Sequence, residues 1–466
     1  MHRFRVYSIY FILILLCWQF TFLKAQEKLV LTLDNSVEMA LAHNPEIKVA
    51  EKELEKAQAD VGQAYAAILP QLDASANFQR AWAIQESTIP NFLKPMLGPL
   101  GEYIQGFDQM PDYVTISFGR KYTLNYGAAI SQPLFLGGAA LSGIKMSKSS
   151  VRAAGHNLES KKQNLIYNCV DGFYSCLLAQ KVIAVQEEAL DQAQANLDAV
   201  VKKYNVGAAS GFDKMRAEVE VANLKPNLIN ARNNYQSALT RLRAIIGLDR
   251  ESDMEISGEF VYVEDEFGNL ELSELQDMAL NNRPEMLNLT EQKQITRQGI
   301  NIARSEFLPK LFFTTDYSYL AMRDDMSFSQ RDFSRGFTSG LSLQISLFNG
   351  FKSIKQYQKA KLDYYIVQDT EQQISDIIYA EVEVAHNNFK EAKEKYISAE
   401  ETVALAQESL RLANLMYEEG ANTQLDVLIS RLSLTEAQMN YYSSLYEYQV
   451  ARYQLRKATG QTKGIL

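Results

Sequence analysis

The sequence predicts a mainly α-helical protein that also lends strands to a membrane β-barrel. Three observations predict it: the chain is written twice, each copy holds a helical stretch too long for a compact domain, and each copy holds two alternating apolar-polar runs. The duplication is direct. Leu33-Asp34 through Met39-Ala40-Leu41 to Pro45-Glu46 recurs as Leu272-Ser273 through Met278-Ala279-Leu280 to Pro284-Glu285, a shift of 239 that also carries Leu69-Pro70-Gln71-Leu72 onto Leu308-Pro309-Lys310-Leu311. Further on, Pro133-Leu134-Phe135 matches Ser346-Leu347-Phe348, and Tyr204-x-x-Gly207 with Asp213 matches Tyr417-x-x-Gly420 with Asp426, at a shift of 213. The second copy therefore lacks 26 residues between its two strand-like runs, the difference between those shifts. Repetition on this scale signals an architecture before any residue signals chemistry.

The first element is a secretory signal over residues 1–26. Arg3 and Arg5 give the positive start, residues 6–22 are mostly apolar, and Leu23-Lys24-Ala25-Gln26 offers a small-residue cut site. A retained membrane anchor and lipid attachment at Cys17 are the rivals; Cys17 follows Leu16 rather than a small residue and sits inside the apolar run. Removing Arg3, Arg5 and Lys24 takes the formal charge from -9 to -12. That balance argues against nucleic acid, whose phosphates need Lys/Arg patches, so none is expected as a partner. No other stretch approaches the eighteen or so apolar residues of a membrane helix, although strands can still cross a bilayer. Cys169 and Cys176 lie on an apolar helical stripe, roughly 10 Å apart along the axis and too far for a disulfide.

Next come the helices. Ile378, Val382, Ala385, Phe389, Ala392, Tyr396 and Ala399 open a stripe that reaches Tyr417 in alternating steps of four and three, which is heptad spacing. The first copy gives Cys169, Gly172, Cys176, Ala179, Ile183, Gln186 and onward to Tyr204, with Gln186 its one polar member. Helical character is predicted from about 138 to 204 and from about 350 to 417, on the order of 100 Å each, so partner helices are needed along the whole length. Shorter helices near 34–69, 213–246, 273–307 and 426–459 are the expected partners. Ser273-x-x-Gln276 reads as a capping box, and Pro226 should kink or break its helix. A filamentous coiled coil is the bland alternative; it would not need strands.

Four runs alternate cleanly. Leu72, Ala74, Ala76 and Phe78 face one way; Tyr122, Leu124, Tyr126, Ala128 and Ile130 follow; then Leu311, Phe313, Thr315, Tyr317 and Tyr319; then Phe337 to Leu347 in steps of two. Each run is about ten residues, the length of a tilted membrane strand, and tyrosines at run ends fit an aromatic girdle. A half-buried soluble sheet gives the same alternation. Pro70 and Pro309, which stop helices just before the first and third runs, tip the weighting, because both strand pairs then leave one end of a helical bundle. Four strands cannot close a barrel, and open edges are forbidden in lipid, so copies of the chain must pool theirs. The connections, about 83–121 with Pro90, Pro95, Pro99 and Pro111 and about 321–336 with its charges, are expected outside the cell.

With the duplication, the Ala-Leu-x-x-(Asn/Arg)-Pro-Glu openings at 40–46 and 279–285, and the Tyr-x-x-Gly-x-x-x-x-x-Asp tips on the page, the chain resembles the TolC-like outer-membrane efflux channel family from residue 31 to 460. The resemblance implies a homotrimer with a twelve-stranded barrel in outer-membrane lipid and a helical tunnel in the periplasm. It implies two repeats, 27–247 (with a β-hairpin 71–134 and a helical hairpin 138–247) and 273–460 (with 310–348 and 350–459). An equatorial linker, 248–272, joins them and a tail, 461–466, follows. It implies a periplasmic adaptor and an inner-membrane pump or ABC-type transporter as partners. Carried over to this chain, the adaptor-docking entrance tips are Tyr204, Gly207 and Asp213, with Tyr417, Gly420, Thr423, Asp426 and Leu428. Gly207 and Gly420 would end the long helices at positive φ, and Asp213 and Asp426 would cap the returning ones; a purely structural turn asks for the same residues. Ala208-Ala209-Ser210 departs from the family's Leu-x-Thr, which favours the second tip. Glu418 and Glu419 would place an acidic ring at the entrance of a trimer; a solvated helix end is the alternative.

The expected function is a passive exit duct for small molecules or drugs, opened by its partners, with type I protein secretion or a periplasmic coiled-coil scaffold as alternatives. No catalytic residue, cofactor or metal is expected. His2, His43, His156 and His386 are scattered, and no phosphate-binding glycine loop, His-Glu-x-x-His or Gly-x-Ser-x-Gly is present.

Overall fold

Proline decides where two of the helices begin. A residue before proline is pushed out of the α region, while proline suits the first helical position. Asn44 (ψ 127°) and Arg283 (ψ 129°), each followed by proline, accordingly interrupt the helix in both copies. The expected single helices near 34–69 and 273–307 are therefore pairs: α1 Leu33–His43 with α2 Pro45–Ala66, and α6 Leu272–Asn282 with α7 Pro284–Ser305. Asn44 Oδ1 accepts from the Glu46 backbone N–H at 2.7 Å, so the break is itself capped.

The computed structural model describes residues 29–462; the predicted signal, the rivals that rest on it and the last four residues of the chain lie outside that range. The remaining elements are β1 Leu29–Leu31, β2 Gln71–Arg80, β3 Gln85–Pro90, α3 Leu93–Leu97, β4 Tyr113–Phe118, β5 Tyr122–Leu136, α4 Ala139–Asn205, α5 Gly211–Ile246, β6 Met254–Ile256, β7 Lys310–Arg323, β8 Ser334–Gln344, α8 Lys352–Glu418 and α9 Gln424–Ala458. The fold class read from the sequence stands: two long helices of 67 residues each, at matching places in the two copies, and four long strands. Among the described residues, no helix is long and apolar enough to cross a membrane.

One compact unit gathers the described parts of 1–56, 151–292 and 367–466. Its core holds the heptad stripes. Cys169, Val170 and Phe173 of α4 pack with Val37 and Ala40 of α1, Leu242 and Ile246 of α5 and Met254 and Ile256 of β6. Ile378, Val382 and Phe389 of α8 pack with Leu275 and Ala279 of α6 and Tyr448 and Leu455 of α9. Each large side chain so buried contributes about 1.5–3 kcal/mol over leaving it in water. Both cysteines are free and buried, and burial pushes each thiol up to about 12. β1 pairs parallel with β6, an unexpected strand in the stretch between the copies. One expectation fails here, and so does the stronger half of another. Ser273 does not cap α6, whose N-cap is Glu271 with no side-chain bond. Pro226 does not break α5, which runs through it; Pro226 and Ala222 are exposed, so water can serve the carbonyl that loses its partner.

The other unit comprises 57–150 and 293–366. Its sheet has the order β2-β5-β7-β8, all antiparallel. Register aligns the alternation across strands: Gln71, Ser131, Thr314 and Gly340 form one row and Asp73, Ala129, Asp316 and Thr338 another on the same polar face. Leu72, Ile130, Thr315 and Ser339, then Ala74, Ala128, Tyr317 and Phe337, stand on the opposite face. A bulge at Pro133/Phe135, where proline cannot donate, interrupts the ladder of β5, which resumes at Phe135↔Leu311. The last strand lies at 334–344 rather than the expected 337–347, and the connection after β2 is not loop throughout: β3 and β4 make a second antiparallel hairpin inside it.

Candidate functional site

The two helical-hairpin tips are built alike. Each long helix ends on a glycine in the left-handed region, Gly207 (φ 78°) and Gly420 (φ 75°). The Gly207 N–H bonds to the Tyr204 carbonyl at 2.9 Å and Ala208 N–H to Lys203 at 2.8 Å; Gly420 to Tyr417 and Ala421 to Met416 repeat the pair at 3.2 and 2.8 Å. That pairing is the Schellman closure of a helix C-terminus. The expectation for both glycines' conformation is met.

The carboxylates do something other than expected. Asp213 and Asp426 are not the N-caps; Ser210 and Thr423 are, and each aspartate stands three residues later, completing a capping box. The Ser210 hydroxyl donates to Asp213 at 2.6 Å, and the Thr423 hydroxyl to Asp426 at 2.6 Å, while both aspartates also accept a backbone N–H, at 3.1 and 2.9 Å. Those hydroxyl bonds, ahead of the backbone ones, hold both carboxyls below the usual range. Ser210 went unread although Ser-x-x-Asp is a capping signature; the first tip thus keeps the physics of the second with a different sequence.

Among the remaining predicted residues, Tyr204 lies over Gly211 of its own tip, 3.8 Å from where a side chain would start. Tyr417 instead receives Lys203 of the other hairpin, with Nζ 4.3 Å from the ring centre. Leu428 is half-buried on α9, and Glu418 and Glu419 are exposed at the end of α8. The structure brings the two tips together at Lys203–Tyr417. A little further along, Arg431 Nη1 of α9 donates to Glu220 Oε1 of α5 at 2.9 Å, with both side chains about nine-tenths covered. Neither residue carried a sequence signal, since the pair is 211 positions apart.

A second constellation also escaped the sequence. The stretch between the copies is clamped to α9: Asp265 Oδ2 accepts from Arg452 Nε and Arg456 Nε, both at 2.8 Å, and its Oδ1 accepts from the Phe267 N–H. Tyr448 donates to the Val263 carbonyl at 2.7 Å and Gln449 to that of Val261 at 2.6 Å. Tyr262 stacks on Tyr396 with centroids 4.9 Å apart and lies tilted against Tyr448 at 4.7 Å, the three rings forming one cluster.

Long paired helices with capped tips, and a four-stranded sheet with one polar and one apolar face whose outer strands are unpaired among the described residues, are the features that a family match must account for. The chain belongs to the outer membrane efflux protein family, whose model matches residues 36–248 and 275–461. It is 22% identical over 311 residues to outer membrane protein TolC of Escherichia coli K12, a match covering 65% of this chain and 62% of that relative's length. Its fold is that of the Campylobacter jejuni CmeC outer membrane channel (TM-score 0.73, 20% identity, 92% of this chain and 87% of that one). The Vibrio cholerae outer membrane protein VceC is similar too (TM-score 0.71, 17% identity, 92% and 96%).

Proposed function

We propose that this chain is the outer-membrane duct of an export system, a homotrimer that passes small molecules or drugs from a periplasmic adaptor and an inner-membrane pump to the outside. The carrying observation is the sheet. Among the described residues β2 and β8 are unpaired edges, Leu72, Phe337, Leu341 and Leu343 are exposed on one face, and the rows on the opposite face are polar. Lipid tolerates no such edges, and three sheets of four strands close a cylinder whose apolar face meets lipid and whose polar face lines a lumen. The names of similar proteins, an outer membrane protein and an outer membrane channel, support the same location.

In this reading 27–247 and 273–460 are the two repeats and 248–272 is a belt around the tunnel. The tips at Gly207 and Gly420 are the periplasmic entrance and adaptor-docking site, with Tyr204, Asp213, Tyr417, Thr423, Asp426 and Leu428 beside them. Three copies of Glu418 and Glu419 give that entrance six carboxylates, which favours cations. The duct carries no energy source of its own; its partners open it, and no step of catalysis is involved.

Cell fractionation tests the proposal. The chain should stay in the outer-membrane fraction through washes with high salt and urea, run as three subunits after chemical cross-linking, and conduct ions in a planar bilayer. Release by urea, or a monomer stable in buffer without detergent, sinks it.

A further inference from the structure

We propose that the long connection between β2 and β5 is an inter-subunit clasp: the apolar face of its β3–β4 hairpin is covered by the same connection of a neighbouring copy, making a collar over the outer end of the barrel. The inference rests on the trimer proposed above. The pairing of the hairpin is Gln85↔Phe118, Ser87↔Ile116 and Ile89↔Val114, which gathers Ile89, Val114, Ile116 and Phe118 on one face. The other face is polar and already bonded, Thr88 to Thr115 at 3.3 Å and Ser117 to Glu86 at 3.5 Å. An isolated two-stranded hairpin is marginal in water and needs something against its apolar face. Among the described residues the chain covers that face only in part: Ile89 is half-buried and Val114 and Ile116 keep 37% exposure each, but Phe118 is 61% exposed, and Tyr103 of the same connection is 85% exposed. Exposed apolar surface gathered in this way marks an interaction site.

Two observations select a second copy as the occupant. The connection leaves the sheet at Arg80, the end of β2, and β2 is the edge that the next subunit's β8 must pair with. The hairpin thus starts at the seam between subunits. Charge gives the second. Residues 83–121 hold Lys94, Arg120 and Lys121 against Glu86, Glu102, Asp108 and Asp112, close to neutral, so copies do not repel. Lys94 is paired with Asp112 and Arg120 with Asp324, both at 2.7 Å. The connection therefore lacks the free basic cluster that an anionic membrane surface recruits.

The test places p-benzoylphenylalanine at Phe118 and, separately, at Tyr103 in the full chain, with irradiation of the outer membrane. Both positions are exposed in the single chain, so the probe leaves folding alone. A probe at Leu343, on the apolar face of β8, serves as the lipid-reactive control. The expected product at 118 and 103 is an adduct of twice the subunit mass. Adducts only to lipopolysaccharide or to another protein, or none while the Leu343 probe reacts, overturn the clasp. Native mass on the unmodified protein separates the two levels: a non-trimer fails the proposed function, whereas a trimer without the adduct fails the clasp alone.

Discussion

At Gly420 a side chain would meet no atom within 4 Å, so a substitution there is opposed by the backbone and not by crowding. A β-branched residue held at φ 75° costs on the order of 1–2 kcal/mol, and the tip can avoid that cost by refolding locally. Gly420→Val should therefore impair export severalfold while the barrel inserts at the normal level, whereas Gly420→Asn, which visits the left-handed region, should be milder. An export assay normalised to outer-membrane protein decides this, and normal export by the valine variant counts against a gating tip. The neighbouring cap makes a separate prediction. Thr423→Ala removes the hydroxyl that bonds the Asp426 N–H and carboxylate, a loss of about 1 kcal/mol for an N-cap threonine, and Thr423→Ser should restore most of it. Protease nicking within 419–426 reports the difference. Because the Asp426 carboxyl is held below its ordinary value, its contribution is complete above about pH 4 and fades as pH falls through the lowered value. Nicking of the parent should rise only in strong acid and stay flat from pH 5 to 8.

The elements that repeat were legible in the sequence, and those that depend on distant pairing were not. Heptad steps announced α4 and α8 because a helix that buries one stripe must repeat it, and alternation announced β2, β5, β7 and β8 for the equivalent reason. Pro45 and Pro284 served only as marks of the repeat, so the longer apolar pattern around them concealed the breaks at Asn44 and Arg283. β1 and β6 are three residues each, too short for any period, and are set by each other across more than two hundred positions. At the site, the glycines were legible from local turn chemistry, while Glu220–Arg431 and Asp265 with its two arginines were not, since ion pairs leave no mark on neighbouring residues. The belt clamp shows what this omission conceals. Burial alone would raise the Asp265 carboxyl, but bonds from Arg456, the Phe267 N–H and Arg452 outweigh it and lower it. Removing one partner of a buried ion pair costs about 3–5 kcal/mol. Asp265→Ala should accordingly free the stretch 257–271 to protease and lower the melting temperature, whereas removing Glu55 from its exposed pair with Lys52 should change neither. Equal protease resistance in the Asp265 variant would show that the tyrosine stack holds the belt alone.

For the whole molecule, the decisive quantity is which face of the sheet meets lipid, and adjacent residues of β8 ask the question separately. Leu341 lies opposite Phe313 on the apolar face and is 69% exposed in the single chain. Gly340 lies opposite Thr314 on the polar face, and a side chain added there would meet nothing within 4 Å. An arginine facing lipid at mid-bilayer costs about 2–4 kcal/mol in a barrel strand, and in the proposed trimer that cost falls at three places at once. Leu341→Arg should therefore cut the inserted, heat-resistant trimer by at least tenfold. Gly340→Arg, one residue away and carrying the same charge, would in the proposed barrel point into the lumen, so insertion should stay near normal while the added charge lowers cation conductance. The two measurements, trimer level in the outer membrane and ion selectivity in a bilayer, should move in opposite variants. A soluble half-buried sheet would invert nothing in conductance and would lose fold in the Leu341 variant alone; equal insertion of both variants would mean that the apolar face does not meet lipid, and the barrel would have to be abandoned.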